Sequence, residues 1–309
     1  MKAILFDQYG PPSVLQLAEL PEPKAGANDI LVEVRATSVN PVDCKYRSGK
    51  LSRILNRRFP KQIGADFSGV VLDSGDPSFR KGDEVYGMLP HLKGKACSER
   101  VIVNHQQLFF KPRHLSFEEA AVLPTTGLTA LEALLYFGDI EPGCKVLING
   151  CTGGVGSIAT QIATYLGAKV TGVCYSGSIQ VAQSLGAGKV IAYDQTNIHT
   201  EKEKYHIILD TVGNLRLRKM KNRLENKGHL STTIIRPGAF LVALLNPVKV
   251  KVIMVSSKQS KLHQLKKILE DGAIHPLIED TFPLEQTGDA HHRLESSRVM
   301  GKLAIRVQV

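Results

Sequence analysis

The chain has 309 residues, of which 43% are hydrophobic and 22% charged, an ordinary globular balance that argues against a disordered or membrane-embedded chain. Its longest apolar stretches, such as Ala239–Leu245, fall far short of the roughly 20 residues a spanning helix needs, and the start carries no secretory pattern, so a cytoplasmic protein of two domains with no membrane insertion is expected. The formal charge of +10 suits an anionic ligand or nucleic acid, but solvated surface lysines produce the same value, and charge decides nothing.

The N-terminal portion reads as strands and turns. Extended runs at Lys2–Phe6 and Ile30–Thr37 are separated by Pro11, Pro12, Pro21, Pro23 and Gly26, and further runs follow at Gly69–Leu72, Glu84–Tyr86 and Ser98–Val103. From about Ser116 the period becomes helical, at Phe117–Ala121 and Leu128–Phe137, and apolar strands then alternate with helices. That alternation is the mark of an α/β domain with a parallel sheet. The strands are predicted at Lys145–Asn149, Lys169–Cys174, Val190–Tyr193, His206–Leu209, His229–Ile234 and Val250–Val255. A helix at Lys261–Asp271 follows, and the closing run Lys302–Val309 reads as a strand that returns to the first domain. The domains are accordingly drawn as 1–115 with 273–309, and 116–272.

Five cysteines, Cys44, Cys97, Cys144, Cys151 and Cys174, are scattered without a C-x-x-C pair. Neither a disulfide framework nor a four-cysteine zinc lobe has a basis in that spacing, so reduced thiols are expected.

The most informative segment is Gly150-Cys151-Thr152-Gly153-Gly154-Val155-Gly156, between a predicted strand and a predicted helix. Glycines admit unusual backbone dihedrals and leave no Cβ between the N–H groups and a phosphate, and a helix N-terminus adds partial positive charge. The helix shows an apolar face at Val155, Ile158, Ala159, Ile162, Ala163 and Leu166, and Gly167 is placed to end it. Strand, turn and amphipathic helix together point to a dinucleotide, with Thr152, Gly153, Gly154, Val155 and Gly156 in the cradle. An acid ~20 positions further on ordinarily binds the ribose 2′-hydroxyl of NAD. Here Val173–Ser178 contains no acid, which permits NADPH, although no Arg or Lys stands there either.

Taken in order, Val39–Asp43, Gly64–Val70, Lys81–Gly87, Leu123–Ala130, the glycine segment, Ser184–Ala187, Leu209–Gly213 and His292–Ser296 before Gly301-Lys302 resemble the medium-chain dehydrogenase/reductase superfamily, in its zinc-free quinone oxidoreductase and enone reductase branch. The resemblance covers nearly the whole chain. It implies a GroES-like β-barrel domain, discontinuous in sequence, with an inserted Rossmann domain and an active site in the cleft between them. Zinc alcohol dehydrogenases of the wider superfamily carry a cysteine and a histidine where this chain has Asn40 and Ala65. NADPH without zinc is therefore expected, because a catalytic zinc needs three protein ligands.

The same resemblance supplies candidate site residues, each with a plainer reading. Asn40 and Asp43 match a cleft-lining N-x-x-D pattern, or form an Asx turn around Pro41. Lys45 matches a lysine near the nicotinamide ribose and substrate carbonyl, or is a solvated surface lysine. Tyr46 lines the pocket or packs at the barrel edge. Thr126 approaches the nicotinamide, caps the following helix, or does both. Ser176 and Tyr193 match the adenosine end of NADP, or belong to a turn and a strand end. Val212 and Gly213 border the cofactor by the switch-point logic of open sheets. The pair His291-His292 is expected on the surface, and the basic run Arg216, Arg218, Lys219, Lys221 and Arg223 on a solvated helix face.

The function implied is reduction of a quinone, or of the β-carbon of an α,β-unsaturated carbonyl compound, by hydride from NADPH. A homodimer is expected through the strand near Lys249–Val255. The alternative is an NADPH-binding regulatory or RNA-associated protein with little catalysis, motivated by the basic charge; aromatic residues interleaved with the cations, as single-strand binding favours, are absent from the basic run.

Overall fold

The computed structural model describes residues 1–52, 58–135, 140–234, 244–245, 250–253 and 259–307. The ends of the runs predicted at Leu128–Phe137, Val250–Val255 and Lys302–Val309, and most of 236–247, lie outside them. The chain divides into two compact units, Met1–Thr125 with Pro276–Val309, and Thr126–His275. Residues 116–125 thus go with the first unit and 273–275 with the second.

The first unit is built on the strand Ile30–Ser38. Its alternation sends Ile30, Val32, Val34 and Ala36 into the core, as the two-residue period of a strand requires. Phe67, Val71, Val85, Val101, Val103 and Leu108 pack against them. This strand pairs antiparallel with Asp66–Ser74, with Arg100–Val103 and with Lys302–Arg306, so the end of the chain completes the sheet begun near its start. Gln16–Glu19, Lys2–Phe6 and Lys61–Gln62 form a small separate sheet. A second apolar cluster joins Ile4, Phe6, Val39 and Tyr46 to Leu284, Ala290 and Ile305.

The second unit is a six-stranded parallel sheet in the spatial order Lys189–Ala192, Lys169–Cys174, Lys145–Asn149, Tyr205–Asp210, Leu224–Thr232 and Val250–Val252. By sequence this is 3-2-1-4-5-6, the doubly wound Rossmann order, whose direction of winding reverses between the first and fourth strands. Val146, Leu147 and Ile148 are fully buried in succession, because a central parallel strand is covered on both faces. The fifth strand starts at Leu224, earlier than its polar segment Glu225–Gly228 suggests. Leu224 pairs with Tyr205, and the register shifts before His229 pairs with Ile207. The helix Gly154–Tyr165 stops where Gly167 takes φ +81°. Ala168 N–H then bonds Ala163 O at 2.9 Å and Gly167 N–H bonds Thr164 O at 2.9 Å, a Schellman closure that only an unhindered residue enters cheaply. Among the described residues no helix is long and apolar enough to cross a membrane.

Candidate functional site

At the point where the sheet reverses, the chain leaves Asn149 through Gly150, whose φ is +83°, and enters the helix at Gly154. A Cβ on Gly156 would fall inside the carbonyl oxygen of Gly150, so the helix begins as close to the turn as bare backbone allows. Gly153 has no heavy atom closer to an added Cβ than Gly150 O at 3.4 Å. Gly153, Gly154 and Val155 are half-buried, while Thr152 and Gly156 are buried. The N–H groups of a helix's first turn have no intrahelical acceptor, and at Gly153, Gly154 and Gly156 no Cβ stands beside them. The residues fit a pyrophosphate.

The neighbouring strand end is tied to this turn. Asp210 Oδ1 accepts from Asn149 Nδ2 at 2.8 Å and from the N–H groups of Val212 and Gly213 at 3.2 and 2.8 Å. Gly213 has φ +81°, and Val212 is exposed. Asn149 Nδ2 also donates to Asn214 Oδ1 at 2.7 Å. One carboxylate thus holds both lips of the switch point.

The end of the second strand differs from the sequence expectation. Val173–Ser178 contains no acid, yet the carboxylate of Asp194 reaches Ser176, accepting its N–H on Oδ1 at 2.9 Å and its hydroxyl on Oδ2 at 2.7 Å. The absence of an acid in the local sequence does not mean absence in space. Tyr193 and Tyr175 flank this pair, exposed, with ring centres 6.4 Å apart.

In the first unit, Asn40 starts the helix Pro41–Arg47. Its N–H donates to Asp43 Oδ2 at 2.9 Å, and Asp43 N–H returns to Asn40 O at 2.9 Å. The Asn40 side chain is engaged at both ends, donating to Asp66 Oδ2 at 2.9 Å and accepting from Lys302 Nζ at 2.7 Å. Lys302 Nζ also donates to Val39 O at 2.7 Å. Asp66 further accepts from Ser38 Oγ and, on Oδ1, from both Thr125 N–H and Thr125 Oγ1 at 3.0 and 2.6 Å. Burial lowers the pKa of Lys302 while Asp66 and Asp43 oppose that shift. Asp43 is pushed up to about 6, chiefly by burial, and its Oδ1 is buried without a hydrogen-bond partner.

Lys45 is exposed on the same helix. Tyr46 is 5% exposed and packs edge-on to Phe6 at 5.5 Å, inside the apolar cluster. Thr126 is buried within the helix Leu123–Leu135; it does not cap that helix, because the helix starts earlier, at Leu123-Pro124. His291 is not on the surface. It is 1% exposed with Nδ1 3.4 Å from Cys44 Sγ, because Thr287, Ala290 and His291 form the inward face of the helix Thr287–Ser296. His292 is exposed.

The chain matches the alcohol dehydrogenase GroES-like domain family over residues 26–132 and the zinc-binding dehydrogenase family over 185–305. It is 31% identical to a tomato (Solanum lycopersicum) 2-methylene-furan-3-one reductase, covering 99% of this chain and 79% of that one. The quinone oxidoreductase of Coxiella burnetii superposes with TM-score 0.90 at 31% identity, covering 100% of this chain and 99% of the other. The Escherichia coli quinone oxidoreductase complexed with NADPH gives TM-score 0.84 at 25% identity, covering 99% and 100%. This chain belongs to the medium-chain dehydrogenase/reductase superfamily. It is an oxidoreductase of the quinone oxidoreductase and enone reductase branch, with the GroES-like and Rossmann domains of that superfamily.

A zinc ion, as the second family's description implies, does not fit the residues of this medium-chain oxidoreductase. Asn40 offers an amide already bonded to an amine, and Lys302 places that amine 2.7 Å from the amide oxygen. A cationic amine there repels a divalent metal. Among the described residues no group of three or more His, Cys, Asp or Glu side chains is arranged to hold a metal. Sequence reasoning missed Asp66, Thr125, Lys302, Asp194 and Asn214. Asp66, Thr125 and Lys302 stand in motif segments and Asp194 and Asn214 do not, but in no case does local sequence signal the partner, since each bonds a residue far along the chain.

Proposed function

We propose that this oxidoreductase reduces quinones or the β-carbon of α,β-unsaturated carbonyl compounds with hydride from NADPH, without zinc. The observation that carries the reading is the glycine turn at the sheet's switch point, where Gly156 abuts Gly150 O and the helix starts from Gly153 with no side-chain cap. The tomato reductase and the two quinone oxidoreductases support the acceptor class, and the NADPH complex of the Escherichia coli protein supports the cofactor.

When bound, the dinucleotide supplies the hydride. Gly153–Gly156 would hold its pyrophosphate, with Thr152 beside them, Val212 and Gly213 along the switch point, Ser176 and Tyr193 toward the adenosine, and Thr126 toward the nicotinamide. Holding donor and acceptor in a reactive geometry lowers a barrier by as much as ~7–11 kcal/mol, so a site that mainly orients is sufficient. Asn40 is a positioning residue, since its amide is committed to Asp66 and Lys302. Lys45 donates a hydrogen bond to the oxygen that gains charge as hydride arrives, and solvent supplies the last proton. Tyr46 supports the same helix from the core, six positions beyond Asn40's cap.

The five cysteines are free thiols, which supports a reducing, cytoplasmic compartment. Val250–Val252 is the last described strand of the sheet, which supports dimerisation by edge pairing. The test is oxidation of NADPH and NADH by purified, chelator-treated protein against matched quinones and enones. Turnover that survives chelation and favours one acceptor class is expected. Dinucleotide binding without turnover on any acceptor would overturn the reading.

A further inference from the structure

The adenosine end of the Rossmann unit carries more than the cofactor assignment uses. Cys174 and Ala192 are paired residues at the ends of adjacent parallel strands. Ser176 and Asp194 each lie two positions beyond that pair, at one level above the sheet. Tyr193 N–H bonds Cys174 O at 3.0 Å, which fixes the turn that delivers Asp194. The carboxylate then takes both Ser176 donors. In Rossmann sites an acid at the end of the second strand receives the ribose 2′-hydroxyl. Here the third strand supplies one to the same place.

A cavity of about 350 Å³ adjoins it, lined by Tyr193, Asp194, Gln195, Thr196, His199 and Asn214 among others. Its volume falls in the range of small-ligand sites. Asn214, which lines the cavity, is bonded at 2.7 Å to Asn149, the residue before the glycine turn. Among the described residues that line it there is no lysine or arginine. Arg216 and Lys219 act on His199, whose pKa they help to lower after burial, but neither lines the cavity.

A carboxylate accepts hydrogen bonds and donates none, so it matches a ribose hydroxyl and repels a phosphate dianion. Ser176, the hydroxyl otherwise available to a 2′-phosphate, already donates to Asp194. We propose that Asp194 is the cofactor-specificity residue of this enzyme: it binds the adenosine-ribose 2′-hydroxyl, so that NADH serves at least as well as NADPH. The inference rests on the reductase reading and refines its cofactor.

The test measures the dissociation constants of NADH and NADPH for the full chain by calorimetry, beside kcat/KM with whichever acceptor proves best. In the unmodified enzyme NADH binds at least as tightly as NADPH. Asp194→Asn and Asp194→Ser, both at an exposed turn, shift the NADH-to-NADPH affinity ratio toward NADPH by about tenfold or more, the scale of one charge-assisted hydrogen bond. A strong NADPH preference in the unmodified enzyme overturns the proposal. Equal changes for both cofactors in the variants also overturn it, because they mark Asp194 as a prop for the turn. Failure of the reductase reading is seen separately, as absence of turnover while the binding ratio still responds.

Discussion

The glycine turn of the second unit and the buried polar network of the first solve the problem of building a site in opposite ways. The turn is seven consecutive residues whose work is done by backbone, so glycine is demanded wherever a Cβ would intrude and the remaining side chains matter little. The network joins Ser38, Asn40, Asp66, Thr125 and Lys302 by side chains, and one of its bonds spans 262 positions. Every member is buried or nearly so, and charges of both signs are enclosed. The turn therefore depends on the absence of side chains at Gly150 and Gly156, whereas the network depends on each partner because a buried charge left alone is costly.

Breaking the network at its cation gives the largest expected effect. Lys302→Met removes the ammonium that faces Asn40 and offsets Asp66 and Asp43, and about 3–5 kcal/mol of unfolding free energy should be lost. Denaturant unfolding at constant m-value measures it. A loss under about 1 kcal/mol would mean that the network is held by its neutral hydrogen bonds alone.

The next effect is set by pH. Asp43 is raised to about 6 by burial first, with Asp66 adding to it and His91, the Asn40 N–H and Lys302 opposing. A carboxyl raised in the folded state contributes stability that is present below its unfolded value of ~3.9 and is lost as pH rises through about 6. His291 of the first unit and His229 of the second, lowered by burial to about 3 and about 4, act in the other direction: their contribution is present above ~6.5 and is lost as pH falls toward those values. Asp43→Asn keeps an oxygen for Asn40 N–H and removes the carboxyl. Relative to the unmodified chain it should gain stability on the order of 3 kcal/mol between pH 4 and 7, read from denaturant midpoints at several pH values. Parallel pH curves for the two proteins would count against the buried, proton-favouring environment assigned to Asp43.

The same contrast explains what was legible. Strand, turn and helix at 145–165 follow one another, so periodicity and glycine spacing are enough to see them, and the central strands are buried runs of aliphatic residues. The ribose acid was not legible, because Asp194 belongs to another strand end and only the parallel pairing of Cys174 with Ala192 brings it to Ser176. Lys302 was visible as a motif residue but not as the partner of Asn40. His291 was misread because no matching acidic or cysteine partner stands near it in sequence, although Thr287, Ala290 and His291 share one buried helical face and Cys44, 247 positions away, lies against it. Thr126 was misread as a possible cap because the helical run was drawn from Leu128 and a threonine just before such a run is a common N-cap, whereas the helix starts at Leu123.

A smaller effect is expected at the turn itself. In Gly156→Ala the added methyl meets backbone that cannot swing aside, so the helix must shift, at about 1–3 kcal/mol for overpacking. Dinucleotide affinity should fall with it. Stability lost with affinity retained would separate the turn's packing role from the phosphate cradle.

Lys45→Met tests the least constrained position. The side chain is exposed on a helix whose start is fixed by the reciprocal Asn40 and Asp43 bonds, so stability should stay within about 0.5 kcal/mol. If Lys45 stabilises the oxygen that gains charge during hydride transfer, kcat should fall by about 10²-fold or more, the scale seen when one such donor is removed, with little change in dinucleotide affinity. Unchanged kcat and acceptor KM would remove Lys45 from the mechanism and return it to the solvated surface. That result would also sharpen the contrast between the units, since it would leave the first unit acting on the reaction through buried, positioned groups such as Asn40, and not through an exposed cation.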